Sequence, residues 1–249
     1  MNPDEYTKMY ELEDHYWWFV GRRQLALNLL KKHSRSSRPA VLDLGCGTGV
    51  VLRELNRWAM PTGVDMSSLA LGYCRQRSIQ RLIQGDGAKL PLADGQMDAI
   101  IGLDIFEHIE DDVAAFAEAY RVLKPGGILV LSVPAFKSLW GPHDVALMHF
   151  RRYRTSEVTT RLEEAGFQVV RSSYSVFFLF PIVVIWRLFE KRKKGPAKAS
   201  LVTLPKWLNS MLIGLQDVES RILAKMNLPW GSSVIAVGQR PINPPVEDR

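Results

Sequence analysis

The stretch Val41-Leu42-Asp43-Leu44-Gly45-Cys46-Gly47-Thr48-Gly49 constrains the fold more than any other part of the chain, because an apolar run meets a glycine-rich turn and then a helix-forming segment. The pattern predicts a buried strand, a tight turn and a helix from about Gly49 to Trp58. Glycines at 45, 47 and 49 permit positive φ and leave no Cβ between main chain and ligand. The helix that follows points free N–H groups at whatever lies above the turn. A nucleotide-like guest is therefore expected.

The dinucleotide fingerprint G-x-G-x-x-G needs a third glycine where this chain has Val50. Asp43, two residues before the first glycine, would repel a pyrophosphate but attract an ammonium group and favour a nearby sulfonium. Both features argue against a nicotinamide-dependent oxidoreductase and for S-adenosylmethionine (SAM). Asp65 closes the apolar run 61–64, 20 residues past Gly45, the distance at which an acidic side chain in a βαβ unit reaches ribose hydroxyls.

Further motifs follow in order: Gly63-Val64-Asp65, Gly85-Asp86-Gly87, Leu90-Pro91-Leu92, Asp98-Ala99-Ile100-Ile101, Phe106-Glu107-His108-Ile109 and Val122-Leu123-Lys124-Pro125-Gly126-Gly127. With Asp43–Gly49 they span about 90 residues, and the set resembles the class I SAM-dependent methyltransferases of the type 11/12 group. Within that family it is similar to the ubiquinone-biosynthesis O-methyltransferases. The resemblance implies a Rossmann-like α/β fold, a seven-stranded and mostly parallel sheet with an antiparallel edge strand and helices on both faces. It also implies that Asp65 holds the ribose, Asp86 approaches the adenine amino group, and Asp104 lies at a strand end beside the methionine part of SAM. Asp43, Gly45, Gly47, Gly49, Met66 and Gly87 complete the expected cofactor contacts.

Short apolar runs alternate with helical stretches from Ala40 to Val133, which predicts a parallel sheet covered on both faces. Strands are expected at 40–44, 61–64, 80–84, 97–103 and 127–133, with helices at 49–58, 67–77 and 111–123. A helix at 155–165 and strands at 167–174 and 232–239 complete the core. The expected organisation is an N-terminal helical lid (1–35), a SAM-binding core (36–174 and 232–240), a hydrophobic and basic helical insertion between strands six and seven (175–231), and a tail (241–249).

The first 32 residues carry Tyr10, His15, Tyr16, Trp17, Trp18 and Phe19, then Arg22 and Arg23 and an apolar stripe, read as two helices joined near Gly21. One reading is a lid in which Tyr16 and Trp18 face the substrate, the aromatics shield the reacting centre and an arginine pairs with a carboxylate. The other is a helix pair filling a groove on the sheet.

After the fifth strand, residues 134–149 read as a loop at the carboxyl edge of the sheet, where substrate contacts belong. Trp140, Arg152 and Tyr153 are candidate substrate residues, and His143 and His149 candidate bases for an acceptor hydroxyl. His108, after the fourth strand, has a similar claim. All three histidines also have structural readings. Glu107 and His108 lack a third spaced ligand in sequence, so no metal is expected.

The insertion opens with eleven consecutive apolar residues, Val176 to Trp186, followed by Lys191-Arg192-Lys193-Lys194. A bilayer span needs about 20 apolar residues, so this run reads as interfacial or buried. Two readings stand: a segment lying in an anionic headgroup region, over 176–194, or a core helix with a solvated charged turn. A second apolar stripe over 206–226 is expected to pack on the first part or on the sheet.

The net charge of +6 permits anionic partners without choosing among them. Only Cys46 and Cys74 are present, and Met1 to Lys8 is too polar for a signal peptide, so a cytoplasmic location is expected, at the inner face of the membrane if the insertion docks there. The expected activity is methyl transfer to oxygen, less readily nitrogen, of a small-molecule or lipid-linked acceptor. Nucleic acid is not expected as the acceptor, because Leu103-Asp104-Ile105-Phe106 is not an Asn-Pro-Pro-Tyr-like motif and no Pro-Cys nucleophile is present. The alternative is a non-catalytic SAM-binding scaffold of a membrane complex.

Overall fold

The computed structural model describes residues 3–190 and 204–242, so the Lys191–Lys194 cluster and residues 243–249 of the expected tail lie outside the described residues. The elements in chain order are α1 (Pro3–Leu12), α2 (Trp17–His33), β1 (Ala40–Leu44), α3 (Val50–Leu55), β2 (Met60–Asp65), α4 (Ser68–Gln76), β3 (Leu82–Gln84), β4 (Met97–Leu103) and α5 (Asp112–Val122). They continue as β5 (Leu123–Pro134), α6 (Pro142–Ala146), α7 (Thr155–Glu164), β6 (Gln168–Ser175), α8 (Phe180–Glu190), α9 (Lys206–Leu223) and β7 (Ser233–Gln239).

The strands form one sheet in the order β3-β2-β1-β4-β5-β7-β6. The first five are parallel, and β7 runs antiparallel to both β5 and β6. The antiparallel pairing thus falls at the expected side of the sheet, with β7 one place in and β6 outermost. Strand order reverses between β1 and β4, and the crevice beyond the carboxyl ends of such a pair is where ligands bind. Gly45–Gly49 leaves β1 and Asp104 leaves β4 at that crevice.

Alternation along the strands divides the core. Leu42 and Leu44 join Phe116 and Ala119 of α5 and Val158 and Leu162 of α7 on one face. Val41 joins Leu29 and Leu30 of α2, Val51 and Leu55 of α3 and Leu223 of α9 on the other. Each fully buried leucine of this kind contributes about 1.5–3 kcal/mol relative to exposure.

Three elements differ from the sequence expectation. The joint between the first two helices lies between Leu12 and Trp17, and Gly21 sits inside α2. Its missing Cβ makes room for the Gln216 side chain of α9, whose Oε1 would lie only 1.6 Å from that atom. The packing of α2 on α9, rather than a turn, accounts for the glycine. Accordingly, the buried face of α9 lies on α2 and not on α8. Finally, residues 134–149 are not all loop: Pro142–Ala146 forms α6, started by Asp144, which accepts the Gly141 N–H at 2.9 Å.

Glu219 of α9 fixes the start of the insertion. Its carboxylate accepts the backbone N–H groups of Val176, Phe177 and Phe178 at the left-handed turn that ends β6. From there the chain enters α8, whose first residue, Phe180, has its ring 5.7 Å from that of Phe136.

Candidate functional site

The turn after β1 is shaped by its glycines. Gly45, Gly47 and Gly49 have φ of 70°, 52° and 89°, in the left-handed region. Gly45 and Cys46 donate to the Val64 carbonyl, so the turn is tied to β2 before the chain enters α3. A Cβ on Gly49 would lie 2.8 Å from Cys74 Sγ in α4. Gly49→Ala is therefore expected to cost about 1–3 kcal/mol through backbone strain alone. A thermal scan checks this: the melting temperature should fall by roughly 2–4 °C per kcal/mol in a chain of this size.

Carboxylates surround this turn. Asp43 is 2% exposed, and its Oδ2 has no hydrogen-bond partner. Burial, then the nearby Asp65 and Glu13, push its carboxyl up to about 8, with Arg22 opposing them. The folded protein thus holds this proton more tightly than the unfolded chain. Its contribution to stability is full below the unfolded carboxylate range and declines as pH rises toward 8. Asp43→Asn is expected to flatten the decline in melting temperature between about pH 5 and about pH 8, and an unchanged slope would refute the assignment.

Asp65, at the end of β2, accepts the N–H groups of Gly47 and Ser67, both at 2.9 Å. Met66 beside it is exposed. Asp86 is exposed and accepts the Ala88 N–H at 2.9 Å, while Gly87 is buried, and a Cβ there would meet Ile109 at 2.7 Å. Asp104 adopts a left-handed φ of 53°, accepts from Ser132 Oγ at 3.1 Å and is ion-paired with Arg22 of α2. The crevice thus offers an orphaned buried carboxyl, with Asp65 and Asp104 at neighbouring strand ends, around a glycine turn whose vacant Cβ positions are filled by Ile105, Met9 and Cys74. That donor set suits a cationic nucleoside ligand and opposes a pyrophosphate.

The N-terminal helices contribute to both sequence readings. The end of α1 reaches the glycine turn: Thr48 Oγ1 donates to buried Glu13, which also pairs with Arg77 at 2.7 Å. Met9 lies 3.1 Å from where a Gly47 Cβ would be. In contrast, α2 packs on β4, β5 and α9. Trp18 and Arg22 of α2, with Ser132, Ser175 and Gln216, line a space of only about 10 Å³, about the least that a single water requires. Arg23 is committed elsewhere, to Glu54 at 2.5 Å and the Glu13 carbonyl at 2.7 Å. Tyr16 is half-buried, with its ring tilted against those of Trp17 and Phe19 at centroid distances of 6.0 and 6.2 Å.

Two candidate substrate residues are internal. Arg152 is buried in a fork with Asp144, at 2.7 and 3.1 Å, and donates to the Ala135 carbonyl. Tyr153 is buried and donates to Asp112 at 3.0 Å and to the Phe106 carbonyl at 3.3 Å. Both hold the 134–154 segment on the core, Arg152 through three of its five N–H groups, and both line a cavity of about 460 Å³ together with Lys137, Arg151 and Arg161. Trp140 is half-buried.

The three histidines come together. The rings of His108 and His149 meet edge to face at 4.6 Å, and His143 lies 6.3 Å from His149. Burial, then the Arg187 cation, hold His143 down to about 3; burial, then His149, hold His108 down to about 4. Both are neutral near pH 7, and their surroundings resist the imidazolium that a general base becomes. His149 Nδ1 sits 3.0 Å from Asp144 Oδ1. Glu107, which the sequence offers only as half of a pair, is completely buried with neither carboxylate oxygen hydrogen-bonded. The sequence also hides Glu13 and Asp144, whose partners Thr48, Arg152 and His149 become neighbours only through the fold.

A family model described as a methyltransferase domain matches residues 42–131, from β1 through most of β5. A Mycolicibacterium smegmatis protein named as a probable S-adenosylmethionine-dependent methyltransferase is 31% identical over 163 residues, 63% of this chain and 61% of that protein. A ubiquinone biosynthesis O-methyltransferase of Nitrosococcus oceani is 27% identical over 146 residues, 53% of this chain and 62% of that protein. The chain thus spans less than two thirds of the length of either relative. Among solved structures, a Haloferax volcanii chain in complex with the Trm112 methyltransferase activator superposes with a TM-score of 0.61 at 20% identity, covering 96% of this chain and 94% of that one. The [4+2]-cyclase SpnF superposes with a TM-score of 0.59 at 18% identity, covering 92% and 88%. The fold therefore hosts more than one chemistry, and activity rests on the site.

Proposed function

Residues 42–131 belong to the class I SAM-dependent methyltransferase family, and from that premise we propose that the protein methylates an oxygen, less readily a nitrogen, of a small-molecule or lipid-linked acceptor at a membrane surface. The observation that carries the cofactor reading is Asp43, buried with an orphaned oxygen beneath three left-handed glycines. Burial makes the ionised form of this carboxyl costly until a cation meets it, and the ammonium of an amino-acid ligand is such a cation. When bound, SAM supplies a sulfonium-activated methyl group.

The residues of this chain do the remaining work. Asp43 receives the ammonium group, Asp65 exchanges a backbone N–H for ribose hydroxyls, and Arg22 leaves Asp104 free as the ligand enters. Trp18 and the end of α1 exclude water, and orientation within about 3 to 3.5 Å in a dry site provides the main acceleration.

The surface of the insertion supports a lipid setting. No residue of 180–189 in α8 is buried, and Ile182, Ile185, Trp186, Leu188 and Phe189 are exposed. This disfavours the alternative of a covered core helix. Among the described residues no helix is long and apolar enough to cross a membrane; the exposed apolar side chains of α8 are what supports its lying in an interface. Methyl-labelled SAM incubated with the protein and an extract of the cells that make it tests the reading. Label in the organic phase is expected; label in the aqueous phase alone rejects a lipid-linked acceptor, and no label returns the scaffold reading.

A further inference from the structure

Glu107 and His108 follow β4, whereas His149 lies beyond α6, and the fold brings one donor atom from each within 4.8 Å of the other two. The sequence expectation of no third ligand is thereby corrected: the third ligand is 41 positions away in the chain. The Phe150 N–H donates to the Glu107 carbonyl at 2.8 Å, which locks the two segments together at this point.

Three observations distinguish this cluster from a chance meeting of polar side chains. Both Glu107 oxygens are buried without a hydrogen-bond partner, a costly state for a carboxylate that a cation would relieve. His149 Nδ1 is held by Asp144, which leaves Nε2 as a free ligand, and one nitrogen of His108 is turned to the Met148 carbonyl. Histidine ligands in metal sites are oriented in this way, by a carboxylate or a backbone carbonyl on the second nitrogen. The neighbouring cations are already engaged, Arg22 with Asp104 and Arg152 with Asp144.

We propose that Glu107, His108 and His149 form a binding site for a divalent first-row transition-metal cation, with positions left open for an oxygen of the acceptor. Two imidazoles and one carboxylate suit Zn²⁺, Fe²⁺, Co²⁺ or Mn²⁺, and they do not suit Mg²⁺ or Ca²⁺, which take oxygen shells. Three protein ligands also match a site that keeps an exchangeable position. The role toward the acceptor rests on the methyltransferase reading; the binding of the cation does not.

The test uses the full chain, stripped with a chelator and titrated without SAM or acceptor. Zn²⁺ is followed by calorimetry and Co²⁺ by its visible absorption. One equivalent of Zn²⁺ is expected to bind and to raise the melting temperature, and Co²⁺ should develop a d–d band. His149→Gln and Glu107→Gln should each weaken Zn²⁺ binding at least 100-fold and abolish the thermal shift. Asp144→Asn, which weakens the hold on His149 Nδ1 and also the buried pair with Arg152, should cost about 10- to 100-fold in a chain shown by its melting curve to be folded. His33→Gln, far along α2, should bind as the unaltered protein does. Absence of saturable binding by the unaltered chain overturns the proposal, as does undiminished affinity in folded His149→Gln. If Glu107→Gln fails to fold, His149→Gln alone decides.

Discussion

Asp65→Ala is expected to weaken SAM binding about 10- to 100-fold, since losing one hydrogen bond to a charged group costs about 1.5–3 kcal/mol. The carboxylate sits between two jobs. In the absence of ligand it accepts the N–H groups of Gly47 and Ser67 and so holds the glycine turn against the end of β2. In the proposed complex its oxygens take ribose hydroxyls. Alanine removes both functions, whereas asparagine retains one acceptor and brings an NH₂ against a backbone donor, so Asp65→Asn should fall between. Calorimetry gives the affinity, and a thermal scan separates it from misfolding. An affinity for SAM unchanged in folded Asp65→Ala contradicts the placement of the ligand.

The second large effect concerns α8. The doubly altered chain Ile185→Asp, Phe189→Asp is expected to stay at the bottom of a flotation gradient with vesicles of phosphatidylglycerol and phosphatidylcholine, while the unaltered chain rises. Burying each of these side chains in an interface contributes about 1.5–3 kcal/mol, so losing two lowers partitioning at least 100-fold. Lys191 to Lys194 add about 1 kcal/mol each on an anionic surface, which predicts weaker flotation at high salt. Both side chains are exposed, at 55% and 57%, so the changes leave the core and the affinity for SAM intact. Failure of the unaltered chain to float rejects the membrane proposal.

What could be read from the sequence was what depends on local pattern. Apolar runs closing on a glycine turn or an acid located β1 and β2, with Asp43 and Asp65 near their carboxyl ends, whereas Asp104 followed only from the family resemblance. What could not be read depended on distant partners. Gly21 looked like a helix joint, since a glycine that opens a helix-packing site has the same local signature as one that opens a turn. The buried partners of Arg152 and Tyr153 were not visible, because Asp144 and Asp112 carry no periodic signal. Glu107, His108 and His149 needed the return of the chain after α6 before any third ligand was near. The apolar run 176–186 showed its composition but not its exposure, because burial is a property of the neighbours.

The most direct test of the central claim is calorimetric titration of the purified chain with SAM, and separately with NAD. One equivalent of SAM bound saturably, with no heat from NAD, is the predicted result. Binding of NAD, or no saturable binding of SAM, would contradict the reading of the Asp43 and glycine-turn crevice as a sulfonium nucleoside site.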